Sequence, residues 1–170
     1  MNKRVMFAVA LPVLVLCLLI VRAEVSVNQG ESWQLRIAGY DPRDLLRGHY
    51  LRFQVDYGIP EGEQRCEDSR TCCICLEDSG ARIPATSWQQ CTTAKTECDS
   101  IIRAEFEHSL NRFYIPEEQA SRAEALLLEA QVNENAFLQV SVSESGKPVI
   151  KDLMIGDVPL ESLLNEGDGK

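Results

Sequence analysis

The chain has 170 residues, 45% of them hydrophobic, which is enough for one compact domain with a hydrophobic core. It carries 17 basic and 26 acidic residues, a formal net charge of -9. Residues 24–170 keep every acidic residue but lack Lys3, Arg4 and Arg22, so their net charge is about -12. An acidic surface of this kind argues against nucleic acid and anionic lipid as partners.

The chain begins with a hydrophobic segment. Residues 5–21 contain no charged side chain and follow Lys3 and Arg4. The run reaches the lower limit for a membrane-spanning helix and exceeds a usual signal-peptide core, which favours an uncleaved anchor. A cleaved signal peptide stays open as the alternative, because residues 21–23 offer a tolerable cleavage site. Since basic residues favour the cytoplasmic side, we expect the N-terminus inside and residues 24–170 in the periplasm.

Alternating apolar and polar residues predict the strands of the exported part. The segments SWQLRIA (32–38) and YLRFQVDY (50–57) follow the period of two that is typical of half-buried strands. Shorter strands are predicted over 101–106 and 112–115, and a hairpin over 136–155. The sheet that these strands form is expected to be mostly antiparallel.

One helix is predicted outside the hydrophobic segment. Pro116 suits the first turn of a helix, and apolar residues recur at helical spacing over 117–131. The expected fold class is therefore α+β and rich in β-structure, with an N-terminal transmembrane helix followed by a small domain in which one helix packs on the sheet.

The expected organisation has four parts. They are a membrane anchor or signal segment over residues 1–23, a short stalk over 24–31, an exported domain over 32–164 with a cysteine-rich excursion at 58–100, and a flexible tail over 165–170. The excursion shows little apolar periodicity, so we expect it to be held in place locally.

Six of the seven cysteines lie within this excursion. They are Cys66, Cys72, Cys73, Cys75, Cys91 and Cys98. In an oxidising compartment an even set of six predicts a disulfide framework, although six cysteines allow fifteen pairings that the sequence does not distinguish. No cofactor is expected on this reading.

Two alternatives use the same sulfurs as thiolates. Cys72 and Cys75 form a C-x-x-C pair, and Cys91 and Cys98 could complete a tetrahedral zinc site or a copper(I) site. Thiol–disulfide exchange is the other alternative, but acidic residues follow Cys75 and would raise the pKa of a reactive thiol. No nucleophile, base and orienting group are recognisable together, so no catalytic residue is assigned.

The stretch DPRDLLRGHYLRFQVDY (41–57) resembles the signature region of the GDYXXLXY protein family. Gly48 and Tyr50 match the Gly and first Tyr of the motif, whereas His49, Phe53 and Val55 replace its Asp, Leu and last Tyr. The segments FYIPEEQASRAEALL and VSVSESGKPVIKDLMIGD are similar to the later helix start and closing hairpin of the family.

The resemblance implies a small exported β-rich domain on one membrane helix, often encoded beside a multi-pass membrane protein, and it implies no reaction. We therefore expect a bacterial inner-membrane accessory protein that binds a membrane or envelope protein; its oligomeric state is not predicted. The motif is expected to be mainly structural. Its residues are also the candidates for partner binding: Arg43, Arg47, Gly48, His49, Tyr50 and Phe53.

Overall fold

A computed structural model describes residues 3–28, 30–40, 50–60, 65–66, 68, 70–78 and 80–165. Within the first helix it describes the side chains of residues 10–22 and 24. That helix, α1, runs over Lys3–Asn28 and contains Pro12. Its apolar side chains between Leu11 and Val21 are exposed. Among the described residues, no helix has the length and apolar character needed to cross a membrane.

The remaining elements are, in chain order, β1 (Glu31–Tyr40), β2 (Tyr50–Asp56), β3 (Cys72–Glu77), β4 (Ala85–Gln90), α2 (Cys91–Glu97), β5 (Ser100–Arg103), a 3-10 helix (Ala104–Leu110), β6 (Arg112–Tyr114), a 3-10 turn (Glu117–Gln119), α3 (Ala120–Val132), β7 (Ala136–Val142), β8 (Pro148–Ile155), β9 (Val158–Pro159) and α4 (Leu160–Asn165).

The described strands form two antiparallel sheets. The larger sheet has the order β6-β2-β1-β7-β8-β9, and the smaller has the order β4-β3-β5. The expected β-rich α+β class with antiparallel sheets is confirmed.

One face of the larger sheet forms most of the core. Leu35 of β1 lies opposite Leu138 of β7, and both are almost fully buried. The polar residues that alternate with inward-facing residues along β1 point to the other face of the sheet, as the period of two predicts. The register of β1 and β2 shifts between Ala38 and Tyr40, where Gly39 adopts a positive φ of 66° that a side chain would disfavour.

The predicted helix packs on the core. Ala123, Leu127 and Ala130 are buried on one side of α3, in agreement with the helical spacing of the sequence. The helix begins three residues later than predicted, because Glu117–Gln119 form a 3-10 turn after Pro116. The C-terminal helix α4 was not predicted from the sequence; it buries Leu160 and Leu164, one helical turn apart.

The strand predicted over residues 101–106 is wrong in its second half. β5 ends at Arg103, and the chain continues as a 3-10 helix over Ala104–Leu110. Only Ala104 and Leu110 are buried in that helix, six positions apart, so the segment lacks the alternation that a strand would need.

The small sheet belongs to the same core as the large one. Ile74 and Leu76 of β3 and Ile102 of β5 join the cluster that contains Leu35 and Leu138. The segment with little periodicity therefore contributes apolar side chains to the centre of the domain.

Candidate partner-binding surface

The first residues of β2 divide between the two faces of the large sheet. Leu51 and Phe53 point inward and are 1% and 2% exposed, whereas Tyr50 and Arg52 point outward. Phe53 therefore packs in the core. Of the candidate partner-binding residues, Tyr50 is the one whose side chain the structure places on the outer face.

Tyr50 is part of a two-strand cluster. Antiparallel pairing places Tyr50 opposite Tyr114 and Arg52 opposite Arg112. The ring centroids of Tyr50 and Tyr114 are 6.0 Å apart with an interplanar angle of 59°. The guanidinium of Arg112 lies 5.3 Å from the centroid of the Tyr50 ring, a cation–π arrangement. We call Tyr50, Arg52, Arg112 and Tyr114 the aromatic–arginine patch.

The patch is accessible to another molecule. Tyr114 is 74% exposed, and both arginines are exposed. β6 is the outermost strand at this edge of the described sheet. The patch therefore presents two phenol rings and two guanidinium groups at a sheet edge.

The other motif candidates cannot be placed on this surface. Arg43, Arg47, Gly48 and His49 lie outside the residues that the structure describes. Among the described residues, the candidate partner-binding surface is formed by β2 and β6 alone.

All six cysteines of the excursion are paired, so the predicted disulfide framework is confirmed. The pairs are Cys66–Cys72, Cys73–Cys91 and Cys75–Cys98. Cys73 and Cys75 are two positions apart in β3 and share a face, as their partners require. Since those partners are the first residue of α2 and the residue that follows its end, two disulfides hold α2 against one face of the small sheet.

The geometry of β3 decides which cysteine sulfurs could bind a metal ion together. Cys72 and Cys75 are three positions apart in β3, so their side chains point to opposite faces of the sheet and do not converge on one metal ion. A smaller group does converge, because the ligand atoms of Cys75, Glu77 and Cys98 lie within 4.8 Å of one another. Two of them are sulfurs of one disulfide and are not thiolates in this state.

Two adjoining cavities lie between the sheets. One has a volume of about 670 Å³ and is lined by residues that include Trp33, Asp78 and Arg82. The other, of about 400 Å³, is lined by residues that include Cys98, and Glu31 and Asp99 line both. Arg82 bridges the sheets here, since it donates to Gln34 at 2.7 Å, pairs with Asp157 and lies 4.1 Å from the Phe137 ring centroid.

A second group of charged and aromatic side chains lies near Tyr57, the residue that follows β2. The Arg65 guanidinium pairs with Glu107 at 2.8 Å and lies 4.6 Å from the centroid of the Trp88 ring. Burial raises the pKa of Tyr57, and the Glu107 carboxylate raises it further, while Arg65 lowers it. The phenol is therefore held neutral, which suits a packing role and not that of a base.

Sequence reasoning missed half of the patch. Arg112 and Tyr114 belong to a strand of three residues, which is too short to carry a periodic signal. The one available hint was the predicted strand over 112–115, but nothing local indicates that it pairs with Tyr50.

The fold and surface define a β-rich α+β domain that three disulfides brace and that exposes an aromatic–arginine patch. The chain belongs to the GDYXXLXY protein family, whose family model matches residues 12–153. Comparison with curated proteins and with solved structures finds no match.

Proposed function

We propose that this protein is a membrane-anchored periplasmic accessory protein that binds a membrane or envelope protein and has no catalytic activity of its own. In this proposal residues 5–21 anchor the chain in the bacterial inner membrane with a single pass. The N-terminus lies in the cytoplasm, and the domain faces the periplasm.

The pairing of all six cysteines of the excursion is the observation that carries the proposal. Disulfides persist in oxidising compartments and are rare in a reducing cytoplasm. The apolar run over 5–21 and the preceding Lys3 and Arg4 support an inside N-terminus. The exposed patch supports a binding role, because Tyr and Arg are the side chains enriched where proteins meet.

The compartment is tested with a reporter fused after Lys170 that is active only outside the cytoplasm. We expect activity from the fusion and none from a matched fusion in which residues 3–22 are deleted. Activity of a cytoplasmic reporter at the same position would contradict the proposed topology.

The binding role is tested by purifying the full-length chain from its native host in mild detergent. We expect a membrane or envelope protein to co-purify in stoichiometric amount. Recovery of the monomer alone, from a preparation in which the topology has been verified, would contradict the interaction.

A thiol-redox or metal-binding protein is the second candidate, and the convergence of Cys75, Glu77 and Cys98 favours it. A dithiol reductant would give two electrons and two protons to the Cys75–Cys98 disulfide, which becomes two thiols, while the reductant is itself oxidised to a disulfide. Zinc or copper(I) titration of the reduced protein tests it, with Glu77→Gln as the variant and Glu97→Gln as control. Tight binding that E77Q weakens would favour this candidate.

A further inference from the structure

We propose that the aromatic–arginine patch is the docking surface for the partner, and that its occupant is an acidic segment of a protein. This inference rests on the proposed interaction role and adds to it a site and a partner chemistry.

The charge of the patch is opposite to that of the domain. Residues 24–170 carry a net charge of about -12, yet Arg52 and Arg112 lie directly opposite each other on neighbouring strands. Like charges in directly opposed positions of a sheet repel one another. A carboxylate-rich occupant would place negative charge beside the two exposed guanidinium groups, each of which can donate hydrogen bonds to a carboxylate.

The aromatic side of the patch provides contact area. Tyr114 is 74% exposed although its ring packs against Tyr50. The two phenol rings, tilted against each other, bring apolar surface and hydroxyl groups with few rotatable bonds, and Tyr and Arg are enriched among the residues that dominate binding energy. The four side chains therefore combine charge recognition with a rigid aromatic surface.

The position of the patch favours a protein over a lipid headgroup. β1 begins at Glu31, close to the end of α1, and its ten residues span about 33 Å. β2 is antiparallel to β1 with Tyr40 opposite Phe53, so Tyr50 lies beyond the far end of β1. The patch is thus at the end of the sheet opposite to the connection with α1, where an anchored domain meets other proteins more readily than its own bilayer.

The test uses the full-length chain in phosphatidylcholine nanodiscs and fluorescein-labelled hexaglutamate, followed by fluorescence anisotropy. We expect saturable binding that weakens as the ionic strength rises from about 0.01 M to about 1 M. Arg112→Glu and Arg52→Glu should each weaken binding about tenfold or more. Tyr114→Ala should weaken it several-fold while leaving the circular dichroism spectrum unchanged.

Arg36→Glu is the matched control. Arg36 is an arginine on the same face of the sheet whose side chain is 40% exposed, but it lies on β1 and pairs with Glu134. Reversal of its charge should change the affinity for hexaglutamate less than twofold, in contrast to R52E and R112E. Equal effects of all three variants would mean that only net charge matters and would overturn the assignment of a site.

Two further outcomes would overturn the inference. Binding of uncharged hexaglutamine as tight as that of hexaglutamate would remove the acidic specificity. Competition by glycerol 3-phosphate, the headgroup chemistry of anionic phospholipids, at the same concentration as free hexaglutamate would assign the patch to lipid. These measurements need no native partner, so their failure is distinct from a failed co-purification or an incorrect topology.

Discussion

Tyr50 and Phe53 lie three positions apart in β2 and therefore on opposite faces of the sheet. Phe53 is enclosed by the core, whereas Tyr50 contacts Tyr114 and Arg112 at the surface. Substitutions at aromatic residues of the two faces should therefore separate folding from binding.

Phe53→Ala should lower the free energy of unfolding by about 3–5 kcal/mol, because it removes a fully packed ring and leaves a cavity. Tyr114→Ala should change it by less than about 0.5 kcal/mol, since that ring is mostly in solvent. Urea unfolding followed by tryptophan fluorescence measures both. A loss of similar size in the two variants would contradict the assignment of Tyr114 to the surface.

Tyr57→Phe should leave the free energy of unfolding unchanged or raise it by up to about 1 kcal/mol. The hydroxyl is buried and has no hydrogen-bond partner among the described residues, so its removal breaks no bond and avoids a desolvation cost.

The pH dependence provides a check on Tyr57. Because burial raises the pKa of Tyr57 in the folded state, the unfolded chain loses this proton first as the pH passes the ordinary tyrosine value of about 10. The wild-type protein should lose stability there more steeply than Tyr57→Phe does. Equal slopes for both proteins would show that the phenol ionises in the folded state.

Asp152 provides a test in the acidic range. Burial raises the pKa of its carboxyl, and the nearby Glu161 carboxylate raises it further, while a hydrogen bond from the Leu153 amide lowers it. When the pKa of a carboxyl is raised in the folded state, the protein loses stability as the pH rises from the ordinary pKa of that carboxyl through its folded-state pKa.

Asp152→Asn should therefore stabilise the protein at pH 7, and the gain should vanish near about pH 3, where both states hold the proton. The asparagine oxygen can still accept from the Leu153 amide. Thermal unfolding at both pH values measures the difference, with Glu97→Gln at an exposed position as a comparison for general charge effects. A gain at pH 3 as large as that at pH 7 would contradict the assigned cause.

At the scale of the elements, α2 depends on its disulfides. It has only seven residues and no side-chain hydrogen bond at its N-cap, and helices this short are not stable alone. Cys73–Cys91 and Cys75–Cys98 attach its two ends to β3. Between them, Ala94 is fully buried in a small cluster with Cys73 and Ile101.

Removal of the Cys75–Cys98 bridge by paired serine substitutions should lower the free energy of unfolding by about 2–4 kcal/mol. Removal of Cys66–Cys72 should cost about 1 kcal/mol less, because it closes a separation of 6 residues and not 23. Hydrogen exchange should accelerate in α2 only in the first variant. Equal protection of α2 in both variants would show that packing, not the bridge, holds the helix.

The sequence predicts the elements that are amphipathic and fails at those that are not. β1, β2 and α3 each bury one side, so their periods of two and 3.6 are visible in the residues. β3 is buried at five consecutive positions from Cys72 to Leu76, on both faces, and an element with no exposed face has no alternation to detect. The small sheet was therefore not predicted as a sheet.

The patch could not be derived from the sequence for a different reason. Its residues come from two strands separated by more than fifty positions, and their pairing depends on the path of the chain through the small sheet. Local patterns predict that Tyr50 and Arg52 share a face of β2. They do not predict which strand pairs with β2 and places its side chains beside them.

At the scale of the whole molecule, the two sheets share one hydrophobic cluster. Leu138 of the large sheet and Ile74 of the small sheet belong to it, and Arg82, which lies between β3 and β4, contacts Gln34 and Phe137 of the large sheet. A continuous core of this kind predicts that the sheets unfold together.

The two tryptophans allow this cooperativity to be measured, because Trp33 lies in β1 of the large sheet and Trp88 in β4 of the small sheet. Trp33→Phe and Trp88→Phe leave one reporter in each sheet. With the disulfides intact, each variant should show the same unfolding midpoint by fluorescence as by circular dichroism, because both probes report one transition. A fluorescence midpoint of Trp33→Phe below its circular dichroism midpoint would mean that the small sheet opens first, and that the shared cluster does not couple the sheets.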